Sequence, residues 1–146
     1  MVDFIGVYDK VTRPSMCKEI IDFFENNKDI QFRGRYLIDG EPDRDPSVKD
    51  SKDISLKFDD NTTPSIIIAK ILNTYTPLYI DTFRSTHIID EFSVEMGYNL
   101  QRYNPSQGYH VLHCENSSRG VDRVLAWTLY LNTVTEGGGT YYPEYD

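Results

Sequence analysis

The chain of 146 residues predicts a single α+β domain, with helices early and strands late. Two stretches in the first half repeat apolar residues at one-turn spacing, the mark of amphipathic helices. From Phe92 the period switches to two, and several further short apolar segments follow, separated by turn-forming clusters. Helices followed by such a run of strands suit a jelly-roll half-barrel supported by two N-terminal helices. Eleven tyrosines fit half-buried strands better than a helical bundle.

The elements follow in order. Phe4 to Tyr8 is a short apolar run that reads as an edge strand. Thr12-Arg13-Pro14-Ser15 opens a helix, since proline is tolerated in the first turn. Met16, Cys17, Ile20, Ile21 and Phe24 then form its apolar stripe, and Asn26 and Asn27 end it. On that stripe Cys17 reads as packing rather than redox chemistry. Phe32 to Ile38 reads as a strand. Asp39 to Lys52 is a charged loop with proline and glycine and little to bury, either a lid or an unstructured excursion. In Lys52 to Phe58, Ile54, Leu56 and Phe58 alternate with Asp53, Ser55 and Lys57, as a half-buried strand should.

Thr62 or Thr63 before Pro64 starts the second helix, which keeps its spacing through Ile67, Ile68, Ile71, Leu72 and Tyr75 to about Thr76. Pro77 is expected to kink or end it, with Leu78 to Phe83 adding a further turn. The clearest strand runs from Phe92 through Val94, Met96 and Tyr98 to Leu100. Tyr109 to Cys114 and Val124 to Asn132 are the next two, and Thr140 to Tyr142 begins a fourth. Trp127 shares parity with Leu125 and Leu129 and reads as core.

Composition excludes several classes. A net charge of −8 argues against non-specific nucleic-acid binding, which needs a basic surface. Cys17 and Cys114 are too few for a disulfide framework, so a reducing compartment is expected. The N-terminus has no basic segment leading into an apolar one, and no window approaches a membrane span; a cytoplasmic protein is the expectation.

The chemistry centres on Gln101 to Glu115. His113 and Glu115 are two residues apart, so an extended strand would project both from one face. An imidazole nitrogen beside a carboxylate oxygen offers two adjacent donors to a divalent metal, and one further histidine would make the facial triad of non-haem Fe(II). His110, three residues before His113, falls on the opposite parity, as does Cys114. His87 lies in a stretch without a motif and reads as a surface or packing histidine. Gly137 to Gly139 forms a turn without the strand and helix that flank a phosphate loop.

Several pieces stand in a fixed order: Arg102-Tyr103, the turn Asn104-Pro105-Ser106-Gln107-Gly108, Tyr109, His113-Cys114-Glu115, Tyr130-Leu131-Asn132 and Gly137-Gly138-Gly139-Thr140-Tyr141-Tyr142-Pro143. This series, covering Leu100 to Pro143, resembles the 2-oxoglutarate- and Fe(II)-dependent oxygenases, specifically their prolyl 4-hydroxylase-like branch. The resemblance implies a double-stranded β-helix (jelly-roll) core, with Fe(II) held by His113 and Glu115. It implies 2-oxoglutarate as cosubstrate, bound with help from Tyr103, Tyr130 and Thr140, and ascorbate as a further ligand. Hydroxylation of a peptidyl residue, proline among the candidates, is the implied reaction, with a peptide or protein as partner and neither nucleic acid nor membrane. One departure is that the family's usual carboxylate is aspartate, where this chain has Glu115.

Two other classes fit the same residues: a non-catalytic jelly-roll binding module, and an enzyme whose His and Glu hold zinc or manganese. Members of the resembled family place a second ligand histidine, and a basic residue for the distal carboxylate, several strands beyond the Gly-Gly-x-Thr turn. No histidine follows His113 before the sequence ends at Asp146. The expectation is one oxygenase domain over residues 1–146 lacking its C-terminal strands, as an inactive fragment or truncated form that binds Fe(II) weakly.

Overall fold

A computed structural model describes residues 4–38, 41–89, 92–94, 96–115 and 123–145. Helix α1 (Pro14–Asn26) starts at the expected proline, and Asn27 closes it by donating its backbone N–H to the Phe24 carbonyl. Of the expected stripe, Ile20 and Phe24 are buried, while Met16, Cys17 and Ile21 are half-buried. The stripe therefore points into the core at its C-terminal half.

Strands β1 (Phe32–Arg33), β2 (Tyr36–Ile38) and β3 (Glu41–Asp43) follow, then β4 (Lys52–Lys57), helix α2 (Thr63–Thr82) and β5 (Gly97–Arg102). The stretch expected as one strand, Phe32 to Ile38, is divided at Gly34-Arg35. Its first part pairs with β4 and its second with β3. A side chain at Gly34 would run into Ser51 Oγ, which would have to move to make room. The Gly34 N–H donates to the Ser51 carbonyl at 2.9 Å, so the backbones touch at this point.

The main sheet has the order β1-β4-β5, all antiparallel. Its register sets Ile54 opposite Leu100 and Leu56 opposite Tyr98. Those four side chains form one apolar face, against which Ile20 and Phe24 of α1 and Ile67 and Ile68 of α2 pack. Burying an aliphatic side chain of this size contributes roughly 1.5–3 kcal/mol, so this cluster is the principal source of stability. Tyr98 satisfies its hydroxyl inside the cluster with Ser65 Oγ, 3.0 Å away.

Helix α2 differs from expectation by running through Pro77 to Thr82. Proline removes the one hydrogen bond that residue 77 would give to the Asn73 carbonyl, but tertiary contacts hold the remainder. Tyr8 packs on Tyr75 (5.1 Å between centroids) and Phe4 on Phe83 (5.8 Å). Tyr79 stacks near Phe83 and donates its hydroxyl to the Phe4 carbonyl at 2.7 Å. The same contacts explain why Phe4 to Tyr8 is not the expected edge strand: its aromatic residues dock on a helix instead of a ladder.

The second half carries less regular structure than its alternation implies. β5 begins at Gly97, so Phe92 and Val94 lie outside it, and Glu95 lies outside the described residues. From Tyr109 to Cys114 one isolated bridge forms, Tyr109 with Lys49. Residues 123–142 form no strand, and Pro143–Tyr145 is one 3-10 turn. Leu129 and Leu131 nonetheless pack against the core and Trp127 approaches Tyr98 at 6.2 Å, although Trp127 remains 41% exposed. The architecture is a mixed α+β arrangement of two helices and small antiparallel sheets. Among the described residues no helix is long and apolar enough to cross a membrane.

Candidate metal and cosubstrate site

β5 ends at Arg102, whose Nη1 donates to both carboxylate oxygens of Glu25 at 2.8 and 2.9 Å. That pair ties the start of the site segment to α1. Beyond it, Asn104 to Gln107 turn back on themselves, with Gln107 donating N–H to the Asn104 carbonyl at 3.0 Å. The returning chain is clasped by Val48 to Asp50. His110 N–H donates to the Val48 carbonyl at 2.8 Å, and Asp50 N–H to the Gly108 carbonyl at 2.9 Å. Gln107 Nε2 adds a bond of 2.9 Å to Asp50 Oδ2. The supposed excursion Asp39 to Lys52 is therefore structural at its C-terminal end, where Lys49 and Ser51 are buried at 4% and 2% exposure. A charged run hides such a role because backbone groups make most of the clasp, with the Asp50 carboxylate adding one bond.

His113 and Glu115 come together without a regular strand. His113 Nε2 lies 3.5 Å from Glu115 Oε1. Nδ1 is 3.1 Å from the Val111 carbonyl, which only accepts, so Nδ1 carries a proton. The ring stacks on Tyr109 with centroids 3.9 Å apart and 13° between planes. Glu115 Oε2 is engaged by Arg123 Nη1 at 2.9 Å. Both members are surface groups, with side-chain exposures of 38% and 49%.

These two donors suit one divalent ion, since donors 3.5 Å apart can each lie about 2.0–2.2 Å from a shared metal. A complete centre needs a third. Among the described residues no group of three or more His, Cys, Asp or Glu is placed to hold a metal. The described residues thus offer two donors at this place.

The proposed cosubstrate residues separate into two places. Tyr130 and Thr140 meet, hydroxyl to hydroxyl, at 3.0 Å, although ten residues part them and no strand connects them. Tyr103 lies beside β4, donating its hydroxyl to Gln101 Oε1 at 3.2 Å. Although 38% of the residue is exposed, its hydroxyl end lies toward Ser51 and Asp53. Burial pushes this phenol up to about 12, helped by the negative charge of Asp53 and opposed by a hydrogen bond from Ser51. Tyr109 is also raised, by burial first and then by the charge of Glu115.

Sequence reasoning passed over the group beneath Tyr109. Lys49 Nζ and Asp53 Oδ2 form a buried ion pair at 2.9 Å, with side-chain exposures of 4% and 2%. Asp53 Oδ1 accepts from Ser51 Oγ at 2.7 Å, and Lys49 Nζ lies 5.8 Å from the Tyr109 ring centroid. The one available signal was Asp53 itself, on the polar parity of a strand whose other face is core. No protein-family model, curated protein or solved structure matches the chain.

Proposed function

We propose that the chain is a 2-oxoglutarate- and Fe(II)-dependent oxygenase of the prolyl 4-hydroxylase-like branch, acting on a residue of a peptide or protein. The observation that carries this reading is the 3.5 Å approach of His113 Nε2 to Glu115 Oε1, within the ordered series of motifs from Arg102 to Pro143. His113 and Glu115 are the metal donors, and the bond from Nδ1 to Val111 leaves Nε2 as the nitrogen to ligate. The Tyr130–Thr140 hydroxyl pair offers donors to the carboxylate of the keto acid. Tyr103 is the third residue of the proposed keto-acid set, with its hydroxyl on Gln101 and apart from the Tyr130–Thr140 pair. Fe(II) and 2-oxoglutarate, when bound, would supply hydroxylation of an unactivated C–H bond by dioxygen, with 2-oxoglutarate leaving as succinate and carbon dioxide. Arg123, on the second oxygen of Glu115, orients that carboxylate.

Anaerobic titration of the 146-residue chain with Fe(II) and 2-oxoglutarate tests the reading. A weak visible absorption band requiring both components supports the oxygenase reading, with weak Fe(II) binding expected from two protein donors. Iron uptake is expected to vanish in His113→Ala and in Glu115→Ala while the far-ultraviolet circular dichroism stays unchanged. Equal iron affinity in wild type and both variants removes the assignment. Tight zinc binding without the two-component band favours a zinc or manganese enzyme. Absence of all metal binding favours a non-catalytic binding module.

A further inference from the structure

Lys49 and Asp53 are the most deeply buried charged pair described, and their burial needs a reason. A buried ion pair is weak evidence for stability, because desolvating both groups offsets most of their attraction. Here the pair is fully enclosed. Ser51 Oγ occupies one oxygen of Asp53, the Arg35 carbonyl lies 3.5 Å from Lys49 Nζ, and the Gly34 backbone seals the side next to Ser51. The ammonium also stands over Tyr109, whose ring centroid is 5.8 Å away. Within about 6 Å a cation is drawn to an aromatic face, and more strongly when it is stripped of water.

Tyr109 also meets the His113 imidazole, stacked at 3.9 Å. The backbone runs the same way: Lys49 and Tyr109 are bridge partners, with the Val48–His110 and Asp50–Gly108 hydrogen bonds on either side. A continuous series of contacts therefore leads from the closed side of the main sheet, at Asp53 on β4, to the exposed His113. His113 is otherwise held by the Val111 carbonyl and Glu115, and among the described residues its segment forms no ladder beyond Tyr109.

We propose that the buried Lys49–Asp53 pair is the positioning device for His113, holding a cation under Tyr109 so that the tyrosine ring fixes the imidazole. Asp53 fixes the ammonium, the ammonium fixes the ring, and the ring leaves Nε2 facing Glu115. Lys49 and Asp53 are positioning residues, since neither touches the metal donors directly. Their value for metal binding rests on the reading of His113 as a ligand, whereas the stacking they enforce does not.

Proton NMR of the histidine-labelled, metal-free 146-residue chain tests the device without any activity measurement. The His113 ring protons are expected upfield of those of His87 and His110, because they lie over the Tyr109 face. Tyr109→Leu sets the unstacked value. The double variant Lys49→Gln/Asp53→Asn keeps a hydrogen bond but removes both charges, and it is expected to lose at least half of the upfield shift. Lys49→Arg, which restores a cation, is expected to recover it. A double variant with unchanged circular dichroism and the full upfield shift overturns the proposal, as does a wild-type chain showing no upfield shift. Should the double variant fail to fold, Lys49→Met/Asp53→Leu fills the same volume without polar groups and is read by the same criterion. Zinc titration of the same samples separates the two readings. A wild-type chain that takes up no zinc while the shift follows the Lys49 variants refutes the metal assignment and leaves the positioning device standing.

Discussion

Ile54 and His113 represent two differently built regions of the chain. Ile54 is 1% exposed and belongs to a cluster that α1, α2, β4 and β5 all supply. Its position is determined many times over. The His113 side chain is 38% exposed and is held by one ring, one carbonyl and one carboxylate. Among the described residues, the fully buried apolar core comes from 14–102, while 103–145 add Leu129 and Leu131 at its edge and carry the proposed site. Stability and site chemistry should therefore respond to different substitutions. A site on irregular backbone also depends on a few specific contacts with the rigid part, and the Val48–Asp50 clasp is the chief of these.

The most direct way to break this division is to compare large changes in each region. Ile54→Ala leaves a cavity between the helices and the sheet and should cost about 2–5 kcal/mol in urea unfolding. His113→Ala and Glu115→Ala, at exposed positions, should change stability by no more than about 0.5 kcal/mol. A destabilisation of His113→Ala approaching that of Ile54→Ala would show that the site segment is part of the core.

The same division explains what the sequence could show. α1, α2, β4 and β5 were legible because burial imposes a period. Ile20 and Phe24 sit one turn apart, and Ile54, Leu56, Tyr98 and Leu100 alternate on facing strands. Leu125, Trp127, Leu129 and Leu131 alternate just as well, and Leu129 and Leu131 do face the core. Alternation reports which side meets apolar material; it does not supply the neighbouring strand that makes a ladder. His113 and Glu115 were legible as a pair for a related reason, since residues two apart stay close in any nearly extended chain. Lys49 and Asp53 were not, because charged residues in a charged run read as solvated until a backbone clasp encloses them.

A smaller effect sharpens the site side of the comparison. Tyr130→Phe removes one hydroxyl from the pair with Thr140. On the proposed function it should weaken 2-oxoglutarate by roughly 1.5–3 kcal/mol, the worth of a hydrogen bond to a charged group, or about 10- to 150-fold in affinity. Iron affinity and unfolding should stay as in the wild type. Calorimetric titration that shows unchanged cosubstrate affinity would return Tyr130 to a packing role.

The smallest effect lies at the junction of the two regions, where Tyr103 follows β5. Its phenol is raised from an ordinary value of 10.0 to about 12, by burial first and then by the charge of Asp53. A raised value means that the folded chain holds this proton more tightly than the unfolded chain does. The stabilisation linked to it is present in full below pH 10 and is lost as the pH rises from 10 toward 12. Tyr98 and Tyr109 shift in the same direction and steepen the loss. Because Tyr103 is 38% exposed, water screens much of the effect and its share is small. Tyr103→Phe has no proton to lose, so its urea midpoint should fall less than that of the wild type across this window. Below pH 10 the two should respond to pH alike. Equal alkaline losses in both proteins would place the Tyr103 hydroxyl in solvent, apart from Ser51 and Asp53. A smaller loss in the variant would fix the start of the site segment against the buried polar group that supports Tyr109.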